Sequence, residues 1–197
     1  MADEYFTIEK EGSGVFKEKM SKFLSFALSA NTAEEAKAIV KRYQNEYHDS
    51  RHVCWAYMLG ADRNEWQLND NGEPSGTAGK PILGQINSFG LTNVVVVVVR
   101  YFGGIKLGTP GLIAAYREAA RLALEDAGKI EVHKMETVKI SFPYMNSNDV
   151  MKIVKSEEID VIDRVFDNAC EMTLSFREDD SSRIKSRLSN IPSLSFK

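Results

Sequence analysis

The spacing of apolar and polar residues changes several times along this chain, and each change predicts a new element. Short apolar runs at Tyr5–Ile8, Gly14–Lys17 and Lys22–Leu28, broken by glycine or charge, predict an antiparallel meander. Thr32-Ala33-Glu34-Glu35 has the spacing of a capping box, in which threonine serves one orphan amide and glutamate reaches back to another. Ala36, Ile39, Val40, Tyr43 and Tyr47 then recur at helical spacing, predicting a helix over 32–46. His52–Leu59 is apolar on both alternating faces: Val53, Trp55, Tyr57 and Leu59 on one, Cys54, Ala56 and Met58 on the other. That pattern predicts a strand covered on both sides. A polar connection over 62–71 follows, with a short strand at Trp66–Leu68.

Two further helices are each announced by glycine and proline. The first starts near Ala78, with Thr77 as its cap and Pro81 in its first turn, and ends near Ser88–Gly90. Val94–Val99 is an unbroken β-branched run and predicts a buried strand. The second helix has Thr109 as cap, Pro110 at its first position, a body over 112–126 and Gly128 beyond its end. Near Lys129–Lys134 the pattern restarts. Thr137–Phe142 reads as a strand, Ser147–Lys155 as a capped helix and Val161–Phe166 with Ala169–Phe176 as a hairpin. Asp180–Leu188 then reads as a helix and Leu194–Phe196 as a last strand. The order βαββαβ fits a ferredoxin-like arrangement, so the expected fold is α+β, with one domain over 1–130 and a second over 131–197.

Composition narrows the function classes. A chain of 197 residues with 43% hydrophobic and 27% charged positions is that of a globular protein with a real core. Its net charge of -3 argues against capture of nucleic acid by bulk charge, so any such contact needs a local patch. Two cysteines, Cys54 and Cys170, make no disulfide framework, and the acidic start Met1-Ala2-Asp3-Glu4 has no signal-peptide order. No apolar run approaches the ~20 residues that cross a bilayer. A cytoplasmic protein without membrane contact is expected.

The candidate chemistry lies in two glycine-rich loops. Asp70-Asn71-Gly72-Glu73-Pro74-Ser75-Gly76-Thr77-Ala78-Gly79-Lys80-Pro81 holds three glycines and two prolines in twelve residues. It is no P-loop, because Pro74 stands where the first glycine belongs and Pro81 where the metal-binding hydroxyl belongs. Arg100-Tyr101-Phe102-Gly103-Gly104-Ile105-Lys106-Leu107-Gly108 follows the valine run and lacks the G-x-G-x-x-G spacing. Each loop leads into a helix, whose first amides attract anions. The expected binding surface therefore comprises Asp70, Gly72, Glu73, Ser75, Gly76, Thr77, Gly79 and Lys80 from the first loop. The second contributes Arg100, Gly103, Gly104, Lys106 and Gly108, with Lys80, Arg100 and Lys106 meeting a phosphate-type anion. The alternative for the same glycines is that they only make tight turns. His48, His52 and Cys54 invite a metal or Cys–His nucleophile reading, but a zinc site takes three or four ligands and only His133 remains as a further histidine, so no metal or cofactor is expected.

The segments Ser21-Lys22-Phe23, His52-Val53-Cys54-Trp55-Ala56-Tyr57, 70–83 and Val97–Gly108 resemble the signature segments of the IMPACT family, in its bacterial YigZ-like branch. Arg51 and Thr109-Pro110 depart from that pattern. The resemblance implies an N-terminal two-layer α/β domain of the ribosomal-protein and elongation factor G domain IV type, and a ferredoxin-like C-terminal domain similar to domain V of that factor. Eukaryotic members act in translational control, competing for an activator of a starvation-responsive kinase, and carry an extra N-terminal domain that this chain is expected to lack. The leading expectation is a translation-linked regulatory binding protein contacting RNA, the ribosome or a translation-factor partner. Two alternatives stand beside it: a hydrolase-like enzyme for a small phosphorylated or amide substrate, with His52 or Glu73 as base, and a protein–protein interaction module that binds no anion.

Overall fold

A computed structural model describes residues 4–166 and 170–197. In chain order the elements are β1 (Glu4–Thr7), β2 (Gly12–Glu18), β3 (Ser21–Ser29), α1 (Ala33–Glu46), β4 (His52–Leu59), β5 (Glu65–Asn69), α2 (Gly79–Phe89), β6 (Val94–Tyr101) and α3 (Gly108–Ala127). They continue with β7 (Ile130–His133), β8 (Met135–Phe142), α4 (Ser147–Ser156), β9 (Asp160–Phe166), β10 (Cys170–Arg177), α5 (Ser181–Ser189) and β11 (Ser195–Phe196). The helices and sheets form two compact units, one of Tyr5–Val132 and one of His133–Lys197 together with Glu4. The start expected for the β10 strand at Ala169 lies outside the described residues, as do Met1, Ala2 and Asp3.

The larger unit is built on one sheet of order β2-β3-β6-β4-β5, antiparallel throughout. The valine run is its middle strand, and all six valines are fully buried. Val94, Val96 and Val98 pack with Ile82, Ile86, Tyr116 and Ala120 of α2 and α3, whereas Val95, Val97 and Val99 pack with Val40 and Tyr43 of α1. The absence of alternation thus reflects helices on both faces, here of an antiparallel sheet. β4 divides in the same way, with Cys54, Ala56 and Met58 towards α2 and α3 and Val53, Trp55 and Tyr57 towards α1. β2 lies so close to α3 that a Cβ on Gly12 would come within 2.2 Å of the Ala123 carbonyl oxygen, an approach only glycine permits.

Several local expectations change. β1 pairs with β7, not with β2, so the meander begins one strand later. At α1, Thr32 Oγ1 accepts from the Glu35 amide at 3.1 Å, but Glu35 reaches back to the amide of Asn31, one residue before the cap. Thr77 does not cap α2: the cap position is Ala78, and the Thr77 hydroxyl donates to Pro74 O at 2.6 Å. Nor does Thr109 cap α3, which starts at Gly108 after Leu107 and has no side-chain cap. The helix expected at Ser147 has no side-chain cap either.

In the smaller unit β8, α4, β9, β10, α5 and β11 follow in the expected order, and the sheet runs β11-β8-β10-β9 with antiparallel pairings. Ile140, Phe142, Met172 and Leu174 pack there against Val150 and Ile153 of α4 and Ile184 and Leu188 of α5. Among the described residues no helix is long and apolar enough to cross a membrane.

Candidate functional site

The loop between β5 and α2 is organised by Asp70. Its Oδ1 accepts from the amides of Ala78 (3.0 Å) and Gly79 (2.8 Å), and its Oδ2 accepts from Gly76 (2.8 Å). The amino end of α2 is therefore already satisfied by a carboxylate of the chain itself. Asn71, at φ 41°, ties the loop to β4: its Oδ1 accepts from the Val53 amide at 2.8 Å, and its carbonyl accepts from His52 Nδ1–H at 2.7 Å. Gly72 and Gly76 carry the loop round at φ 83° and 78°. Gly79 is the first residue of α2 and buried, and Ser75 is exposed.

This path turns Glu73 inwards. Its side chain is only 3% exposed, and its Oε1 accepts from Arg100 at 2.6 Å and from the Tyr116 hydroxyl at 2.7 Å. Arg100 also donates to Ser21 Oγ at 3.3 Å, and its guanidinium carbon lies 5.5 Å from the ring centres of both Phe23 and Phe102. Such an ion pair is held by its geometry, since removing one partner leaves a buried charge uncompensated. Cys54 Sγ sits 3.0 Å from Asp70 O and 3.3 Å from Tyr116 Oη. Burial pushes its thiol well above the ordinary range, and burial, then the nearby Cys54 and Glu73, push the Tyr116 phenol up as well. A thiol so placed is a core group and not a nucleophile.

A cavity of about 420 Å³ is lined by residues of both loops and around the starts of β4 and α3, among them Arg51, His52, Glu73 and Pro74 with Arg100, Phe102, Lys106, Gly108 and Thr109. His52 Nε2 lies 3.7 Å from Glu73 Oε2, an ion pair when the ring is protonated. Gly108 and Thr109 open α3, whose first-turn amides have no side-chain cap. The side chains of Lys106 and Arg51 are exposed and have no polar partner among the described residues. Gly103, which donates its amide to Ser21 Oγ at 3.3 Å, abuts the β2–β3 turn: a Cβ there would lie 2.1 Å from the Met20 backbone. Gly104 is exposed at φ 89°.

The two loops thus meet, but not as one cationic patch. Lys80 lines a different hollow of about 320 Å³ with Gly76, Gly84, Gln85 and Arg117. Arg100 is neutralised by Glu73, and Asp70 fills the anion cradle expected at α2. What remains open to an anion is the amino end of α3 with Lys106 and Arg51. Sequence reasoning gave no site role to Tyr116, nor to Ser21, which it met only within a family-like segment. Tyr116 falls on the apolar stripe of α3, where spacing cannot reveal that its hydroxyl has a partner.

The family model described as the Impact N-terminal domain matches residues 19–124, which include both loops and the cavity. Over 144 residues the chain is 35% identical to the IMPACT family member YvyE of Bacillus subtilis, covering 73% of this chain and 66% of that protein. Over 108 residues it is 44% identical to the IMPACT family member YigZ of Escherichia coli, covering 54% of this chain and 53% of that protein. The matches thus span about half to two thirds of the length of these curated relatives. A crystal structure of a hypothetical protein superposes with a TM-score of 0.77 at 26% identity, covering 100% of this chain and 97% of that one. The chain belongs to the IMPACT family.

Proposed function

We propose that this chain is a cytoplasmic, translation-linked regulatory binding protein that receives a phosphate-type anion of its partner in the cavity at the amino end of α3. One observation carries the reading. A helix of 20 residues opens, without a side-chain cap, onto a cavity beside two exposed cations, Lys106 and Arg51, whose side chains have no polar partner among the described residues. Its amides and dipole, with Lys106 and Arg51, favour negative charge there. Family membership supports the translational link. The βαββαβ order with sheet order β11-β8-β10-β9 supports a ferredoxin-like C-terminal domain akin to elongation factor G domain V. The helix-covered sheet of the larger unit likewise supports a domain of the ribosomal-protein and domain IV type, over 1–130. RNA, the ribosome and a translation factor all carry suitable anionic groups.

Retention on ribosomes and total RNA tests the reading. The Arg51→Ala/Lys106→Ala double variant is expected to bind at least about tenfold more weakly, with binding that falls steeply with salt. Lys80→Ala is expected to bind like the wild type. Equal retention of the double variant would remove the cavity from the reading, and salt-insensitive capture of a protein would favour an interaction module without anion binding.

A second reading is favoured by His52 Nε2 standing 3.7 Å from Glu73 Oε2 in the same cavity: hydrolase-like acid–base chemistry on a small phosphorylated or amide substrate. Hydrolysis of p-nitrophenyl phosphate or a p-nitroanilide, lost in His52→Ala, is its signature. Turnover unchanged by that substitution would rule it out.

A further inference from the structure

The lining of the cavity asks for opposite things at the amino end of α3, called its roof, and at Glu73, called its floor. At the roof are the amides of Gly108 and Thr109, without a side-chain cap, and two cations, which are donors; Pro110 offers no N–H. At the floor is Glu73, whose side chain is 97% buried and whose two oxygens are used unequally. Oε1 takes the hydrogen bonds from Arg100 and Tyr116, whereas Oε2 accepts none among the described residues, its nearest polar neighbour being His52 Nε2 at 3.7 Å. His52 already spends its Nδ1–H on the Asn71 carbonyl. Oε2 is thus the carboxylate oxygen left open to a donor from within the cavity that Glu73 lines. A ligand that satisfies the site must therefore carry an anionic group for the roof and, a short distance away, an O–H or N–H for Oε2. A bare carboxylate or a second phosphate at the floor would be repelled by Glu73.

The wall adds a third requirement. Phe102 is 45% exposed although it lines the cavity, and its ring is steadied by the Arg100 guanidinium. An exposed ring beside cations is a stacking platform for a base, the device by which single-stranded nucleic acid is held.

We infer that the cavity binds a ribonucleotide unit, with its phosphate on the amino end of α3, its base on Phe102 and its 2′-hydroxyl donating to Glu73 Oε2. The inference rests on the anion-binding reading above and adds the chemical class of the ligand. A phosphate, a flat base and a hydroxyl donor between them meet the three requirements in one unit, and about 420 Å³ is space of the size that small-molecule sites occupy. A deoxyribonucleotide meets only two and leaves Oε2 unpaired, so the site discriminates against it. The unit is either a free nucleotide or one residue of an RNA strand, which share this chemistry.

Fluorescence-anisotropy titration of the full chain with a labelled short oligouridylate, the matching oligodeoxyuridylate and, in competition, uridine monophosphate tests the inference at constant salt. The ribo-strand is expected to bind about tenfold to a hundredfold more tightly than the deoxy-strand, the range of one hydrogen bond to a charged group. Glu73→Gln is expected to reduce that preference several-fold or more. Because Glu73→Gln also touches the Arg100 pair, its fold is checked by circular dichroism, and Phe102→Ala provides a second route. The latter is expected to weaken both strands about fivefold or more while leaving the ribo preference intact. Competition by the mononucleotide as tight as by the strand assigns the free nucleotide as source, and weaker competition assigns RNA. Equal affinity for the two strands would overturn the ribose contact and leave the anion site standing. Failure of both strands to bind, while the ribosome retention above still depends on Lys106 and Arg51, would overturn the nucleotide and keep the anion. Failure of all of them would overturn both.

Discussion

At the scale of single residues the larger unit turns on a buried network, Glu73–Arg100–Tyr116, with Cys54 beside it. Replacing Arg100 by methionine leaves the Glu73 carboxylate without its cation and is expected to cost about 3–5 kcal/mol in urea unfolding. The Glu73→Gln/Arg100→Met double variant is expected to recover a good part of that loss, since the uncompensated charge goes with the glutamate. Equal destabilisation of the single and double variants would show that shape, not charge, holds the site. Cys54 is fully buried, and its thiol is pushed above the ordinary range by that burial. It is therefore expected to stay unmodified by an aromatic disulfide reagent until denaturant unfolds the unit. Much of this was legible in the sequence: Glu73 and Arg100 stand out in their glycine-rich stretches and His52 at the head of its strand. Their partnership was not, because spacing shows which residues share a loop but not which way each side chain turns. Arg100 reads as a cation for a ligand and is instead consumed by the protein.

Among the elements, those with strong periodicity follow the sequence closely. The valine run and the two-faced β4 are legible because a strand covered on both sides has no polar beat, and α1 because its capping box is local. The ends of α2 and α3 escape such reading. Asp70 caps α2 from eight and nine residues away, beyond the span of a local motif, and Thr77 and Thr109 look like caps only because nothing nearer does. The pairing of β1 with β7 joins distant stretches and has no short-range signature. Close approach is likewise invisible until the elements are assembled. Gly12→Ala drives a methyl group into the backbone of α3 and is expected to destabilise the larger unit by about 1–3 kcal/mol. The midpoint of thermal unfolding reads the effect, and an unchanged midpoint would mean that β2 can lift away at no cost.

On the scale of the whole molecule, the two units keep separate cores and separate sensitivities. In the smaller one, Lys139 at 2.7 Å and Lys197 hold the Glu171 carboxyl down to about 2, below its ordinary 4.5. The unfolded chain takes up that proton first, so the stabilisation is complete above about pH 4.5 and is lost as the pH falls towards 2. Glu171→Gln is expected to flatten this acid limb for β10 and its neighbours while leaving the larger unit unchanged, as followed by amide exchange. Charge spacing alone could not foretell the triad, which joins β8, β10 and the chain end through sheet register. A last consequence follows from the aspartate seated at the mouth of α2. The protein ships with a tethered tenant in one of its two docks, so vacating it should let a stranger in. Asp70→Ala is expected to melt at a lower temperature and to be rescued by millimolar sulfate, with no comparable rise for the parent, because a lodger that binds only the folded chain raises its melting point. What looks like a missing binding site would then prove to be an occupied one.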